Sequence, residues 1–284
     1  MIRLLFGGDV MLSRHVGRMA RARKDPAYPF RRIAPFLAAA DIAFVNLESP
    51  FCGRGGRIEQ GMVFKAEPEM IQGLTLAGVD VVSTANNHAR DRGARGVEFT
   101  LEWLERHGIE AVGTGASRAA AENGVVLERR GVRFGFLAYT YDQANGNHQD
   151  TDERVLVMDT AAMRRHVARL KARSDAVIVS MHAGAEYSET PGSRQVEFAR
   201  AALEAGASVV AGHHPHVAQP VEAYAGGVIF YSLGNLVFDQ MHRPDTQRGL
   251  IGEAVFRGAK LESWRTHPVR IRGVVPELAD AETT

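Results

Sequence analysis

An α/β fold is expected of this chain, and three features of its sequence lead there. Short β-branched and apolar runs recur along it, and stretches with apolar spacing near 3.6 lie between them. From Val221 onward the helical stretches give way to closely spaced strands with glycine turns, as in "GGVIFYSLGN" and "GLIGEAVFRGAKLESW". The first two features imply strands alternating with covering helices; the third implies an antiparallel closing half.

Taken in order, Ile2 to Phe6 is an apolar run that breaks at Gly7-Gly8-Asp9, and Ile42 to Val45 is a continuous apolar run suited to a strand buried on both faces. Pro68 to Ala77 has helical spacing and starts with a proline, which a first helical turn tolerates. Val79 to Ser83 is the next strand and Gly96 to His107 the next helix. Val132 to Ala138, Val177 to Ser180, Ser208 to Ala211 and Val228 to Ser232 are strands by the same β-branched signal. Between them, Ala161 to Ala172 and Val196 to Ala205 repeat the helical spacing. One domain over residues 1–272 is expected, followed by an acidic, small-residue tail, 273–284, read as frayed.

The bulk numbers narrow the class. With 45% hydrophobic and 24% charged residues, neither disorder nor a fibrous repeat is indicated. A net charge of +1 gives no global field for gathering nucleic acid, so nucleic acid is not an expected partner and an anion must be recognised locally. Cys52 is the only cysteine, which excludes an intrachain disulfide framework and a thiolate metal cluster. The short apolar run at the N-terminus lacks signal-peptide character, and no stretch suits a membrane span, so a cytoplasmic protein without a membrane anchor is expected.

Ligands of open α/β sheets bind beyond the carboxyl ends of the strands. Five of the 11 histidines fall there, together with carboxylates and amides. "LLFGGD" ends at Asp9, "IAFVNLE" at Asn46 and Glu48, "VVSTANNH" at Asn86, Asn87 and His88, "VIVSMH" at His182, and "VVAGHHPH" at His213, His214 and His216. Singly, each piece has a plainer explanation as a turn or a satisfied half-buried side chain. His214 and His216 are the strongest single signal, since in extended backbone residues i and i+2 face the same way. Together the strand ends make a metal-site composition. Carboxylate and imidazole donors without cysteine suit Mn, Fe, Zn, Ni or Mg, and two ions would share a carboxylate, Asp9 or Glu48.

Three other signals carry less. "GTGAS" completes no nucleotide-binding loop, so its glycines are expected to serve a turn. "FCGRGG" presents Cys52 without an orienting acid. Arg14 to Arg32 holds six Arg and one Lys against Asp25, which suits a solvated helix face, or else a landing site for a polyanion.

The series "GDVMLSR", "VNLESP", "FKAEP", "VDVVSTANNHARDRG", "GTGAS", "SMHAGAEY", "GHHPHVAQP" and "YSLGNLVFDQ", from residue 7 to about 240, resembles the calcineurin-like metallophosphoesterase superfamily. Within it the series resembles the CapA branch, the poly-gamma-glutamate capsule biosynthesis family. The resemblance implies a four-layer α-β-β-α sandwich with a dinuclear metal site at the strand ends. It implies Asp9, Glu48, Asn87, His182, His214 and His216 as metal ligands, with Glu48 bridging the ions and Asn46 a nearby alternative. His88 would contact the phosphate and assist the leaving group, and His213 would be the extra histidine. Arg14, Lys65, Asn86, or Glu186 with Tyr187, would position substrate or support the ligands. The superfamily's Asp-x-His is broken here by Met11, and a glutamate stands where an aspartate is usual.

By this resemblance the chain is a metal-dependent hydrolase of an anionic small molecule or polymer, cleaving a phosphoester with a hydroxide held by two divalent ions. Two alternatives stand beside it. One is an accessory protein that holds a carboxylate-rich chain without cleaving it; the other is a gamma-glutamyl amide hydrolase using the same site.

Overall fold

A computed structural model describes residues 1–53, 62–141 and 152–279 of the chain. Part of "FCGRGG" and the last five residues of the expected tail lie outside the described residues.

The chain opens with β1 (Ile2–Val10), α1 (Arg14–Arg23), α2 (Ala34–Leu37) and β2 (Ile42–Leu47). There follow α3 (Ile71–Leu76), β3 (Val81–Ser83), α4 (Gly93–Arg106) and β4 (Glu110–Val112). The middle holds α5 (Arg118–Asn123), β5 (Val125–Arg129), β6 (Val132–Thr140), α6 (Thr160–Lys171), β7 (Ala176–His182), α7 (Ser193–Glu204) and β8 (Val209–His213). It closes with β9 (Val221–Tyr224), β10 (Gly227–Phe230), β11 (Asn235–Val237), β12 (Arg248–Arg257), β13 (Lys260–Arg272) and β14 (Val275–Leu278).

Two sheets result. One runs β14-β13-β12-β1-β2-β3-β4 with β11 paired to β1, and the other runs β5-β6-β7-β8-β10-β9. Alternate residues of β1 explain the layering, because strand side chains switch faces at each step. Leu4 and Phe6 join Phe44, Phe134, Phe136, Ile178 and Phe230 in a core between the sheets. Leu5 faces the other way, and so does Val10, because the strand is irregular between Phe6 and Asp9; both pack with Val16 and Ala20 of α1 and Leu74 of α3. On the far side, Met163, Val167 and Leu170 of α6 pack with Phe198 and Leu203 of α7 on Val177 and Val179. Each such side chain, buried almost completely, contributes roughly 1.5–3 kcal/mol. The arrangement is the four-layer α-β-β-α sandwich.

Local chemistry sets the helix starts. Asp159 accepts the Ala162 N–H at 2.9 Å to cap α6, and Ser117 accepts the Ala120 N–H at 3.1 Å to cap α5. The glycine-rich "GTGAS" is thus a turn into a helix cap. In α1 the buried residues are Val16, Gly17 and Ala20, while Arg18, Arg21 and Arg23 look outward, the solvated face expected of that run.

Two expectations need correcting. The closing half is antiparallel in β9/β10 and in β12 to β14, but β10 joins β8 in parallel and β11 joins β1 in parallel. Both sheets are therefore completed by strands from this half. Nor does a frayed tail begin at 273: Gly273 turns at φ +65° and Val275–Leu278 pairs with Val269–Arg272. The long β13 provides an edge to which these residues add. No helix among the described residues is long and apolar enough to cross a membrane.

Candidate metal centre

The central strands of both sheets deliver their ends to one point. β1 brings Asp9, β2 brings Asn46 and, one residue beyond its end, Glu48. β7 ends at His182 and β8 at His213, with His214 and His216 in the turn that follows. Asp9, Glu48, His182 and His213 are 0% exposed, so whatever they do is done away from bulk water.

Asn46 clamps this group. Its Nδ2 donates to Asp9 Oδ1 at 2.8 Å and lies 3.2 Å from His182 Nδ1. Asn86 fixes it from behind, donating to Asn46 Oδ1 at 3.2 Å and to the Leu47 carbonyl at 2.9 Å. His182 Nε2 is 2.8 Å from Asn87 Oδ1. If Asn46 donates to Nδ1, that assigns the His182 proton to Nε2, pointing at Asn87. In that tautomer the Nε2–H donates to the Asn87 amide oxygen, and a cation in the proton's place would meet two neutral ligand atoms.

His216 Nδ1 lies 3.0 Å from Asn235 Oδ1 and 3.4 Å from Asp9 Oδ2, leaving Nε2 toward Glu48 Oε1 at 3.8 Å. The His214 N–H donates to Asp9 Oδ2 at 3.2 Å. The reason these histidines share the site differs from the expected one. His214 has φ +99° and His216 φ +61°, so a left-handed turn around Pro215, and not an extended i, i+2 register, brings them in.

Two donor groups emerge, each with its ligand atoms within 4.8 Å of one another: Glu48, His214 and His216, and Asp9, Glu48 and His182. Glu48 belongs to both. Its Oε1 is buried without a hydrogen-bond partner, as is His214 Nδ1. Burial pushes Glu48 well above the usual carboxylate range, helped by the negative charge of Asp9 and Glu186. Burial also acts to raise Asp9, but its hydrogen bond with His216 and the nearby His213, His216 and His182 hold it low. Burial drives His214 down to about 3 and His182 well below its normal value, so both rings are neutral, the form a metal requires. Unpaired buried donors, neutral imidazoles and a carboxylate between two clusters fit a pair of divalent ions.

Met11 adds nothing to this set. It is buried in the core on the helix side of the sheet, and its sulfur lies 3.1 Å from the Ser13 N–H. His213 stands apart from both donor groups, with Nε2 3.2 Å from the Gly7 carbonyl and Nδ1 3.3 Å from Ser180 Oγ. It ties β8 to β1.

His88 is brought to the site. Its Nε2 is 4.0 Å from Glu48 Oε1, its Nδ1 is 2.7 Å from Asp91 Oδ2, and its ring stacks on Phe64 at 3.8 Å. Arg14 is held by Asp239, with its guanidinium 5.2 Å over the other contact of His88, the Phe64 ring. Lys65 is half-buried, its Nζ 3.6 Å from Glu67. Burial raises the pKa of Tyr187, and the negative charge of Glu186 adds to that rise as it does to that of Glu48. Tyr187, at φ +65°, has its ring 6.3 Å from that of His216, with the Arg243 guanidinium 4.8 Å over it.

The sequence reading missed Asp91, Phe64, Asn235 and Asp239. Asp91 had a faint signal, three residues past His88. Asn235 sat in a Gly-Asn pair behind a strand, the pattern that marked Asp9.

The family model described as "Bacterial capsule synthesis protein PGA_cap" matches residues 3–240. The chain is 33% identical over 243 residues to the capsule biosynthesis protein CapA of Bacillus anthracis, covering 82% of this chain and 59% of that protein. It is 33% identical over 239 residues to the PGA biosynthesis protein CapA of Bacillus subtilis (strain 168), covering 83% and 63%. It thus spans about three fifths of the length of these relatives. Among solved structures, a hypothetical protein from Thermus thermophilus aligns at TM-score 0.61 and 19% identity, covering 95% of this chain and all of that one. A Staphylococcus aureus protein described as a putative 5′-nucleotidase aligns at TM-score 0.56 and 14% identity, covering 100% of this chain and 55% of that one. The fold shared with it is metallophosphoesterase-like.

Proposed function

Because the chain belongs to the family of the bacterial capsule synthesis protein PGA_cap, we propose that its site is a dinuclear metal centre that hydrolyses a phosphoester in the service of capsule or poly-gamma-glutamate biosynthesis. The observation that carries this reading is Glu48, a fully buried residue common to both donor groups, whose Oε1 has no hydrogen-bond partner among the described residues. Burial raises the pKa of this carboxyl, so its charged form is costly unless a cation stands beside it. A divalent ion on either side is the partner its surroundings suit.

Glu48, His214 and His216 would hold one ion, and Asp9, Glu48 and His182 the other, with Asn87 beside His182. When bound, two such ions supply charge that draws a phosphoryl group and acidifies water. The chain's own residues do the rest. Asn46 and Asn86 fix the carboxylates so that little reorganisation is needed during reaction. Asp91 holds a proton at His88 Nδ1 and Phe64 holds the ring flat, which leaves Nε2 facing the Glu48 side. When the ring also carries a proton at Nε2, that second proton can pass to a leaving oxygen, returning His88 to the neutral form with its proton on Nδ1. Arg14, engaged by Asp239, supports Phe64, while Lys65, Glu186 and Tyr187 would meet substrate.

A second reading takes support from the names of the Bacillus relatives and from Met11, which leaves the site one histidine short of the superfamily pattern. In it the same pocket holds a carboxylate-rich chain without cutting it. A gamma-glutamyl amide hydrolase is the third reading, since ions of this kind also activate carbonyl centres.

The test is metal content per chain in wild type, Glu48→Gln and His214→Ala, followed by phosphoester and gamma-glutamyl peptide panels with added Mn. About two metals per chain, falling in both variants, with phosphoester turnover, supports the proposal. Turnover of the peptides alone selects the amide reading. A wild type that takes up no Mn, Fe or Zn sinks both hydrolytic readings.

A further inference from the structure

Two adjoining grooves at the β14 edge of the larger sheet are walled with arginine. The larger, of about 510 Å³, has Arg248, Arg270 and Arg272 on its walls. The smaller, of about 280 Å³, has Arg23, Arg31 and Arg32. Arg272 and Glu277 line both and form their shared wall. Among the lining residues Glu277 is the only carboxylate, set against six arginines in a chain whose net charge is +1. The charge is therefore concentrated here and offset elsewhere.

Strand register sharpens the imbalance. Arg248 on β12 and Arg270 on β13 are direct cross-strand partners, and both are exposed. Side chains directly opposite share a face, where like charges repel. Arg270 is in turn opposite Glu277 on β14, which could neutralise it. Instead the Glu277 carboxylate is taken by Arg32 and Arg272. Neither Arg248 nor Arg270 has a side-chain hydrogen bond or ion pair among the described residues. Two cations are held side by side with no anion between them.

We propose that this double groove docks a carboxylate-rich chain, whose acidic groups take at Arg248 and Arg270 the place that Glu277 takes at Arg32 and Arg272. A guanidinium fork matches a carboxylate with two parallel hydrogen bonds, and Arg31 already holds Asp25 in that way at 2.8 and 3.0 Å. Nucleic acid would call for open aromatic faces on which bases stack. Tyr28, in the smaller groove, is half-buried and has the Arg23 guanidinium 4.6 Å over its ring. Ala218, two residues past His216 in the chain, also lines the larger groove. The inference does not depend on whether the turn that carries His214 and His216 binds metal.

The test is fluorescence anisotropy with labelled poly-L-glutamate on the full chain across a range of salt, with a single-stranded oligonucleotide of similar charge as comparator. The variant carries Arg248→Gln and Arg270→Gln, and its melting temperature should equal or exceed that of wild type because a like-charge pair is relieved. Wild type should bind polyglutamate, and the double variant at least about tenfold more weakly with a shallower salt dependence. His214→Ala should bind as wild type does, which separates this surface from the metal centre. Four results would overturn the proposal: no binding by wild type, undiminished binding by the double variant, loss of binding in His214→Ala, or an oligonucleotide held as tightly as polyglutamate.

Discussion

The ring of Phe64 lies on the ring of His88, with centroids 3.8 Å apart and planes within 19° of parallel, and one carboxylate ties the two residues together. Asp91 Oδ2 accepts the Phe64 N–H at 2.5 Å and sits 2.7 Å from His88 Nδ1. This fixes both the tilt of the imidazole and which nitrogen carries its proton. Asp91→Asn keeps the shape but loses the charge that stabilises a protonated ring. The expected result is a kcat on phosphoesters lower by about 10–100-fold, with metal content unchanged. Metal lost in step with kcat would instead make Asp91 a structural support of the centre.

Glu48 yields a prediction about stability that needs no substrate. Its folded pKa is raised, chiefly by burial, so its contribution to stability is present below the unfolded value of about 4.3 and is lost as pH rises through the folded value. Metal-free wild type at neutral pH therefore holds the carboxylate at a cost. Metal-free Glu48→Gln should be more stable than metal-free wild type at pH 7.5 by about 1–3 kcal/mol, and the gap should close below about pH 4. Metal at about 100 times its Kd should stabilise wild type by about 2.7 kcal/mol per site and the variant by less. Thermal melts at two pH values, with and without Mn, show whether the order of the two proteins reverses.

Much of this centre was legible in the sequence because its donors stand where apolar runs stop. Asp9 and His182 stand at the ends of strands, and Glu48, Asn87, His88, His214 and His216 just past them, and the apolar faces of those strands are needed by one core or another. What stayed hidden depends on tertiary partners. Asp91 lies in a stretch of alternating charges that reads as a turn, and the approach of Phe64 from another segment joins its contact with His88 to give it a role. β11 is three residues long and exists because β1 offers it an edge. Val275–Leu278 contains Pro276 and Glu277, poor strand residues, yet forms β14 as an outermost strand, where a proline is tolerated. His214 and His216 were rightly paired but for the wrong backbone: both have positive φ.

Acid should weaken the segment behind His88. Hydrogen bonds from Arg154, against the opposing effect of burial, hold Asp152 down to about 2, and Arg90 Nη1 adds a bond at 2.8 Å. A depressed carboxylate contributes stability that is present above its unfolded value of about 3.9 and is lost as pH falls through the folded one. Asp152→Asn should cost about 1–2 kcal/mol at pH 7, allowing for solvent screening, and the difference from wild type should disappear between about pH 4 and pH 2. Urea unfolding at pH 7 and near pH 2.5 checks it; an equal gap at both would mean the charge of Asp152 is irrelevant.

The glycines before Asp9 separate a backbone requirement from a side-chain one. A Cβ at Gly8 would lie 2.0 Å from the Gly234 carbonyl oxygen, the same oxygen that accepts the Asp9 N–H at 2.9 Å. Backbone on both sides leaves no flexible group to yield, so an alanine must push β1 away from residue 234 and move Asp9 and Asn235 with it. A Cβ at Gly7 meets Leu236 Cδ2 at 2.7 Å, the tip of a side chain that can rotate. Gly8→Ala should therefore cost more than about 3 kcal/mol, or prevent folding, while Gly7→Ala should cost about 1–3 kcal/mol. Where Gly8→Ala does fold, it should take up less metal than Gly7→Ala, because its displacement falls on Asp9. Denaturant melts of both variants, with metal content on the folded fraction, decide the matter. Equal stability in the two would mean that the contact between β1 and Gly234 is not what fixes Asp9.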